Sequence, residues 1–277
     1  MKRDADPAVR GARQPRLLRA YERLAAAADL VTAARAVQAI GAEIGLTHPA
    51  VVDDYSQRRL FTAEDGKALS EVFGWEQDFQ RDWVEQALHR VSPVGAVCRV
   101  TTRPFSWSAA RMTALAEELG GRSGRSWPLT PERGIAGGIS VPIHLPRCGV
   151  GSVTWTTRDT TVPLGELLHE HGDLLRLAAF RFMDLVYAGR RDEPEQYAAA
   201  LSEREVECLT WVALGRTDAE IGQLIHRSPT TARFHVENAM TKLGARNRPQ
   251  AVAIACQLGL IHADDVGHSG NSRIAQS

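Results

Sequence analysis

The sequence predicts an α/β protein in two parts: an N-terminal α-β-α sandwich with an antiparallel sheet, then an all-α four-helix module built around a helix-turn-helix. Three observations carry this. Helical apolar spacing fills both ends of the chain. Two β-like runs, Gly138 to Leu145 and Val150 to Thr157, lie in the middle, joined by a short turn through Pro146 and Gly149. A polar stretch with no apolar period, Ala188 to Ala199, separates the last long helix from the C-terminal helices and reads as an interdomain linker. At 277 residues both parts have enough chain to bury a core. The expected boundaries are a flexible N-terminus at 1–16, a first domain at 17–187, the linker at 188–200, the helical module at 201–262 and a flexible tail at 263–277.

Within the first domain, Leu17 to Ala27 and Leu30 to Ile44 have helical spacing, with Gly45 as the stop. Ala50-Val51-Val52 reads as a short buried strand. Helical patterns return at Phe79 to Val91 and Ala109 to Leu119, after which Gly120, Gly121, Gly124 and Pro128 mark a long loop. From Pro163 to about Tyr187 an amphipathic helix places Leu167, His171, Leu174, Leu175, Ala178, Phe182 and Leu185 on one face. That stripe serves either to cover the sheet or to mate with a second copy of the chain.

Lysines and arginines balance aspartates and glutamates at 33 each, so affinity for nucleic acid has to come from local segregation of charge. The first sixteen residues are polar and Arg-rich, without the apolar core of a secretory signal, and no stretch is apolar enough to span a bilayer, so a cytoplasmic location is expected. Cys98, Cys148, Cys208 and Cys256 lack paired ligand spacing and read as reduced thiols in small apolar gaps, with no metal or other cofactor expected. Catalytic candidates are weak. His169 and His171, two apart on a helix, point to different sides. His144, Cys148 and Ser152 fall in no nucleophile elbow, and Gly149-x-Gly151 is better read as hairpin geometry than as a phosphate loop. An enzyme is not expected.

The C-terminal module is legible residue by residue. Ser202 caps a first helix and Glu205, three positions on, completes a capping box. Val206, Leu209, Val212 and Ala213 turn inward and Gly215 ends the helix. Thr217 caps Asp218 to Ile225, with Ala219, Ile221, Leu224 and Ile225 as the apolar set. A turn through His226 and Arg227 leads to Ser228, which caps a third helix with Pro229 at its first position, running to about Leu243 before Gly244. Arg248 to Leu258 closes the bundle through Ala251, Val252, Ile254, Ala255 and Leu258. Acidic residues crowd the first half (Glu203, Glu205, Glu207, Asp218, Glu220) and basic residues the second (Arg227, Arg233, Lys242, Arg246, Arg248, opposed by Glu237). Two short helices joined by a tight turn, the second basic, are the geometry that enters a DNA major groove. The plainer reading is a packing unit with a solvated basic face.

The motifs Leu201-Ser202-x-Arg204-Glu205-x-Glu207-x-Leu209, Ala213-x-Gly215-x-Thr217-x-x-Glu220-Ile221, Ser228-x-x-Thr231-x-x-x-His235-x-x-Asn238, Lys242-Leu243 and Asn247-Arg248-x-Gln250-Ala251-Val252 resemble the LuxR-type helix-turn-helix. The resemblance runs without gaps over the module, with Ala232 departing from the family's usual valine. It implies that Arg233, Phe234 and Glu237 face base edges, and that Thr230, Thr231, Lys242, Arg246 and Asn247, with Arg227 in the turn before them, lie toward phosphates. An arginine that grips guanine through two hydrogen bonds gives ~1–3 kcal/mol of discrimination.

A phosphorylated receiver is one alternative for the first domain, because Val51-Val52-Asp53-Asp54 imitates an acidic pair ending a strand. Two helices precede it, however, and no later phosphate-accepting aspartate or matching lysine follows. Pro93-Val94, Cys98, Pro104 and Trp107, then Gly138-Ile139-Ser140-Val141-Pro142-Ile143-His144 and Gly151-x-Val153-Thr154, instead resemble the autoinducer-binding domain of quorum-sensing LuxR regulators. That resemblance implies an amphiphilic signal held between sheet and helices, with Trp75, Phe79, Trp83, Ser92, Trp107, Gly138 and Thr154 as pocket candidates and Trp127 as a further aromatic. It also implies double-stranded operator DNA, a homodimer and RNA polymerase as partners, and no membrane.

Two departures from the family pattern matter. Ser92 stands where the family has an aspartate that accepts from the ligand amide, and Phe79 stands where a tryptophan donates to the lactone carbonyl, unless a one-turn slip gives Trp75 that role. Losing a charged acceptor removes ~1.5–3 kcal/mol. The expectation is therefore a divergent or orphan regulator that binds ordinary acyl-homoserine lactones poorly. An ordinary lactone or another amphiphile as ligand is the alternative, and a core filled by these aromatics, without a signal, is the plainer one.

Overall fold

The computed structural model describes residues 7–63, 65–85, 87–118, 134–145, 148–188 and 201–261. Two compact units make up the chain. The first contains α1 (Pro7–Ala25), α2 (Leu30–Ala42), β1 (His48–Val52), α3 (Leu69–Val72), α4 (Gln77–Glu85), α5 (Leu88–Val91), α6 (Pro93–Val100), β2 (Phe105–Ser108), α7 (Ala109–Glu118), β3 (Gly137–His144), β4 (Val150–Thr157) and α8 (Leu164–Ala188). The second contains α9 (Glu203–Ala213), α10 (Asp218–Leu224), α11 (Pro229–Lys242) and α12 (Arg248–Gln257).

In the first unit the strands form one antiparallel sheet in the order β1-β4-β3-β2. Because side chains alternate across a strand, β3 and β4 present two different faces. Ile139 pairs with Trp155 and Val141 with Val153; with Ile143 they join Val37, Ile40, Leu175 and Phe182 in a core shared with α1, α2 and α8. On the opposite face Ser140 pairs with Thr154 and Pro142 with Ser152, and α6 packs there. Buried hydroxyls cost free energy unless they find partners. Ser140 Oγ accepts from the Trp107 indole at 2.9 Å and lies 2.9 Å from Thr154 Oγ1, and Ser152 Oγ lies 2.8 Å from the Tyr55 hydroxyl.

Several elements differ from the sequence reading. Helix α1 starts at Pro7 rather than at residue 17, so the flexible N-terminus expected at 1–16 is helical from Pro7 onward. Pro15 lies inside α1, where a proline removes one helical hydrogen bond and crowds the carbonyl four residues before it. The helix expected from Phe79 to Val91 is two helices, α4 and α5, separated at Ala87, whose φ of 51° is left-handed. Helices α3 and α6 and the four-residue strand β2 are additional. On α8, Leu167, His171, Leu175, Ala178 and Phe182 are buried, which settles that stripe as a packing face; the exposed side carries Leu177 and Phe180. Cys98 and Cys208 are buried as expected, and burial pushes their thiols up to about 12 and about 11, whereas Cys148 is exposed. The loop through Gly120, Gly121, Gly124, Trp127 and Pro128, the linker from 189 and the tail from 262 lie outside the described residues.

In the second unit α9 to α12 match the expected helices to within a residue at each C-terminus, and the capping boxes Ser202–Glu205 and Thr217–Glu220 are both formed. The inner face of α10 differs. Ile221, Gly222 and Ile225 are buried, while Ala219 and Leu224 point outward. Cys208 fills the space against Ile221, Ala232 and Val236.

Gly41 on α2 tests the packing of the sheet. A Cβ there would collide with the Leu46 carbonyl oxygen and with Cδ1 of Trp155, whose indole donates to the Val37 carbonyl at 2.9 Å. Gly41→Ala is expected to lower the denaturation midpoint by an overpacking cost of roughly 1–3 kcal/mol, read by urea unfolding. His89, at 0 % exposure, has neither ring nitrogen hydrogen-bonded among the described residues. Burial, with Arg90, Arg58 and Arg99 adding to it, holds its pKa below the ordinary histidine value. The unfolded chain therefore takes up the proton first, so His89 contributes stability that is full above about pH 6.5 and lost as pH falls below it. In His89→Phe, the fall of the thermal midpoint between pH 7 and 5 should be shallower than in the parent, by scanning calorimetry.

Candidate nucleic-acid interface and ligand pocket

The turn between α10 and α11 is tight because Gly222 has no side chain. A Cβ there would lie 2.9 Å from the Arg227 carbonyl oxygen and 3.0 Å from the Pro229 nitrogen. The turn itself needs a left-handed residue, His226 at φ 54°, and Arg227 N–H donates back to the Gly222 carbonyl at 2.8 Å. Ser228 Oγ then accepts from Thr231 N–H at 3.1 Å and starts α11. Ala232, Val236 and Ala239 bury one side of that helix. The other side exposes Thr230, Arg233, Phe234 and Glu237, with Phe234 58 % exposed although it is a large apolar residue.

Two carboxylates, Glu205 buried and Asp218 half-buried, organise the basic residues. Asp218, at the start of α10, receives Arg233 Nε at 3.0 Å and Arg248 Nη2 at 2.9 Å. Glu205 receives the Ser202 N–H at 2.7 Å and the Lys242 ammonium at 2.8 Å. Burial works to raise both carboxyls, and these cationic and backbone donors overcome it, so both sit below their ordinary values. The nine DNA candidates therefore divide. All but the half-buried Thr231 are exposed, but some are also engaged within the module, Arg233 by Asp218 among them. Lys242 ties the end of α11 to α9, Asn247 caps α12 by accepting from Gln250 N–H at 2.9 Å, and the Thr231 hydroxyl lies 2.9 Å from Ser228 Oγ. The sequence reading missed Gly222 and Asp218; a glycine inside a helical pattern was the available signal for the first.

In the first unit a cavity of about 70 Å³ lies on the hydroxyl-bearing side of the sheet, lined among others by Val52, Asp53, Arg59, Ser70, Trp75 and Thr154. Phe79, Trp83 and Ser92 also line it, whereas Trp107 and Gly138 do not. Trp107 covers Gly138, its Cζ2 3.2 Å from where a Cβ would be, and reaches the wall indirectly through Ser140 and Thr154. Phe79 and Trp83, four apart in sequence, share a face of α4, and Trp75 lies just before that helix. The three rings stack at 4.6 and 6.2 Å between centroids. The Trp75 indole N–H donates to the Pro49 carbonyl of β1 at 2.6 Å. Ser92 is buried and caps α6, accepting from Gly95 N–H at 3.0 Å. Ser70 Oγ is buried on the wall with no hydrogen-bond partner among the described residues.

No helix among the described residues is long and apolar enough to cross a membrane. Residues 31–185 match the autoinducer binding domain family and residues 199–255 match the luxR family of bacterial regulatory proteins. Over 210 residues the chain is 28% identical to the HTH-type transcriptional regulator y4qH of Sinorhizobium fredii, covering 71% of this chain and 60% of that protein. Over 200 residues it is 31% identical to the transcriptional activator protein BjaR1 of Bradyrhizobium diazoefficiens, covering 68% of this chain and 74% of that protein. The chain thus spans less than two thirds of the first relative. SdiA, known from Escherichia coli, has the same fold: its structure with octanoyl-rac-glycerol superposes at a TM-score of 0.51 and 18% identity over 95% of this chain and 99% of that one. With its autoinducer-type domain and a helix-turn-helix module on one chain, this protein belongs to the LuxR family of quorum-sensing transcription regulators.

Proposed function

We propose that this protein regulates transcription by binding double-stranded operator DNA as a cytoplasmic homodimer, with α11 in the major groove and RNA polymerase as its working partner. The observation that carries this is the outer row of α11. Thr230, Arg233, Phe234 and Glu237 are exposed while the opposite side of the helix is buried, and Arg233 is aimed by Asp218. A groove-entering helix needs such a row, oriented but not consumed by the fold. Arg227 and Arg246 extend it with positive charge toward phosphates. Two copies are needed to read a two-part site, and Leu177 and Phe180 on the outer side of α8 offer them apolar surface.

For the sensor, the reading is a small flat or aromatic amphiphile in the cavity beside the sheet, with ordinary acyl-homoserine lactones bound weakly. Ser92 offers a hydroxyl engaged in capping instead of a carboxylate. Phe79 has no donor, and the Trp75 indole is bonded to Pro49, so a slip of one turn does not restore the missing N–H. The lost acceptor alone is worth roughly tenfold to a hundredfold in affinity. A signal of ordinary size needs ~300–1,000 Å³, so it would enter by parting the stack of Trp75, Phe79 and Trp83.

In DNase footprinting on the operator, Arg233→Gln should weaken protection by roughly tenfold or more, while Arg248 still holds Asp218. Protection equal to the parent's would sink the assignment of α11. In a thermal-shift series with N-acyl-homoserine lactones, octanoyl-rac-glycerol and flat phenolic compounds at equal concentration, stabilisation is expected from the phenolics and little from the lactones. Nanomolar binding of a common lactone would defeat this reading, and no shift from any compound would favour a core without a signal.

A further inference from the structure

Where β1 leaves the sheet, its last residues do two things at once. Val52, Asp53 and Arg59 form part of the cavity wall, and the Asp53 carbonyl oxygen accepts a hydrogen bond from the Tyr187 hydroxyl at 2.9 Å. Tyr187 stands in the last turn of α8, packed against the main core, and the chain runs on from Ala188 toward the C-terminal module. The Asp53 carboxylate, 2 % exposed, is held by an ion pair to Arg59. Asp53 therefore joins a cavity-lining cation on its side chain to the end of α8 on its backbone. Parting a buried carboxylate from a cation that holds it is costly, so a displacement of Arg59 acts on Asp53.

We propose that Arg59, Asp53 and Tyr187 form a coupling that carries the state of the cavity to the C-terminal end of α8, and thereby to operator binding. A molecule that displaces Arg59 or competes for Asp53 shifts the carbonyl on which Tyr187 hangs. The last turn of α8 then loosens or tightens, which changes how the attached module is presented to DNA. The direction is set by whether the ligand strengthens or releases the ion pair. This inference rests on the proposed role of the cavity as a ligand site.

The test uses the full-length protein without added ligand, in three variants: Tyr187→Phe, Arg59→Gln and the double. Hydrogen exchange by mass spectrometry is read over residues 183–188 and 50–60. Arg59→Gln is expected to speed exchange in 183–188, and Tyr187→Phe in 50–60, each by roughly threefold or more, with the double variant no faster than the faster single. Arg59→Lys, which keeps the ion pair, should exchange like the parent. Effects confined to each variant's own segment, or simply additive ones, overturn the coupling. Operator dissociation constants from footprinting should move by one common factor in all three variants; coupled exchange with unchanged operator affinity would overturn the link to DNA. A parent protein that gives no footprint refutes the proposed function instead, and the exchange result stands apart from it. Should Tyr187→Phe fail to fold, Arg59→Gln, at a half-exposed position, decides the question alone.

Discussion

One hairpin with two unlike buried faces sets the plan of the first unit. The β3–β4 pair turns Ile139, Val141, Ile143, Val153 and Trp155 to one side and Ser140, Ser152 and Thr154 to the other. The apolar side holds α1, α2 and α8 by area removed from water. The hydroxyl side cannot be covered by aliphatic packing alone, because each hydroxyl needs a partner. Tyr55 and Trp107 meet that need with an O–H and an N–H on large apolar rings, and one hydroxyl of the row, that of Thr154, belongs to a residue lining the cavity.

In the second unit, carboxylates that complete or begin helices also grip cations from elsewhere. Glu205 finishes a capping box and receives Lys242; Asp218 begins α10 and receives Arg233 and Arg248. Segregated charge in the sequence, acidic first and basic second, is thus partly cancelled inside the fold. What is left for a partner is Arg227 and Arg246, together with Arg233, which stays exposed although Asp218 holds its Nε, so a chain of zero net charge still shows a basic surface on one helix and its flanks.

Capping signals made the second unit legible almost to the residue, since Ser202, Thr217 and Ser228 act locally and each does what its chemistry dictates; the cap at Asn247 was not read. The first unit was legible where periodicity was long, in α2, β3, β4 and α8, and less so between β1 and β3. Helices of four residues and a strand of four leave no period to read, and the break at Ala87 depends on a backbone conformation that alanine rarely adopts. Phe79, Trp83, Ser92 and Thr154 were reached through resemblance, as was Trp75. Asp53, Arg59 and Ser70 were not, because their places on the wall, after β1 and in the four-residue helix α3, follow from tertiary packing and carry no periodic signal.

The order β1-β4-β3-β2 leaves β1 at one border of the sheet and β2 at the other. Unpaired strand borders invite another chain to add on. Here one border carries Pro49, which has no N–H to offer and whose carbonyl is taken by the Trp75 indole, and the other is only four residues long. The aromatic stack that walls the cavity therefore also seals the sheet against lengthening by a foreign strand. A foreign strand, or one from a second copy, thus finds little edge on which to start a fibre.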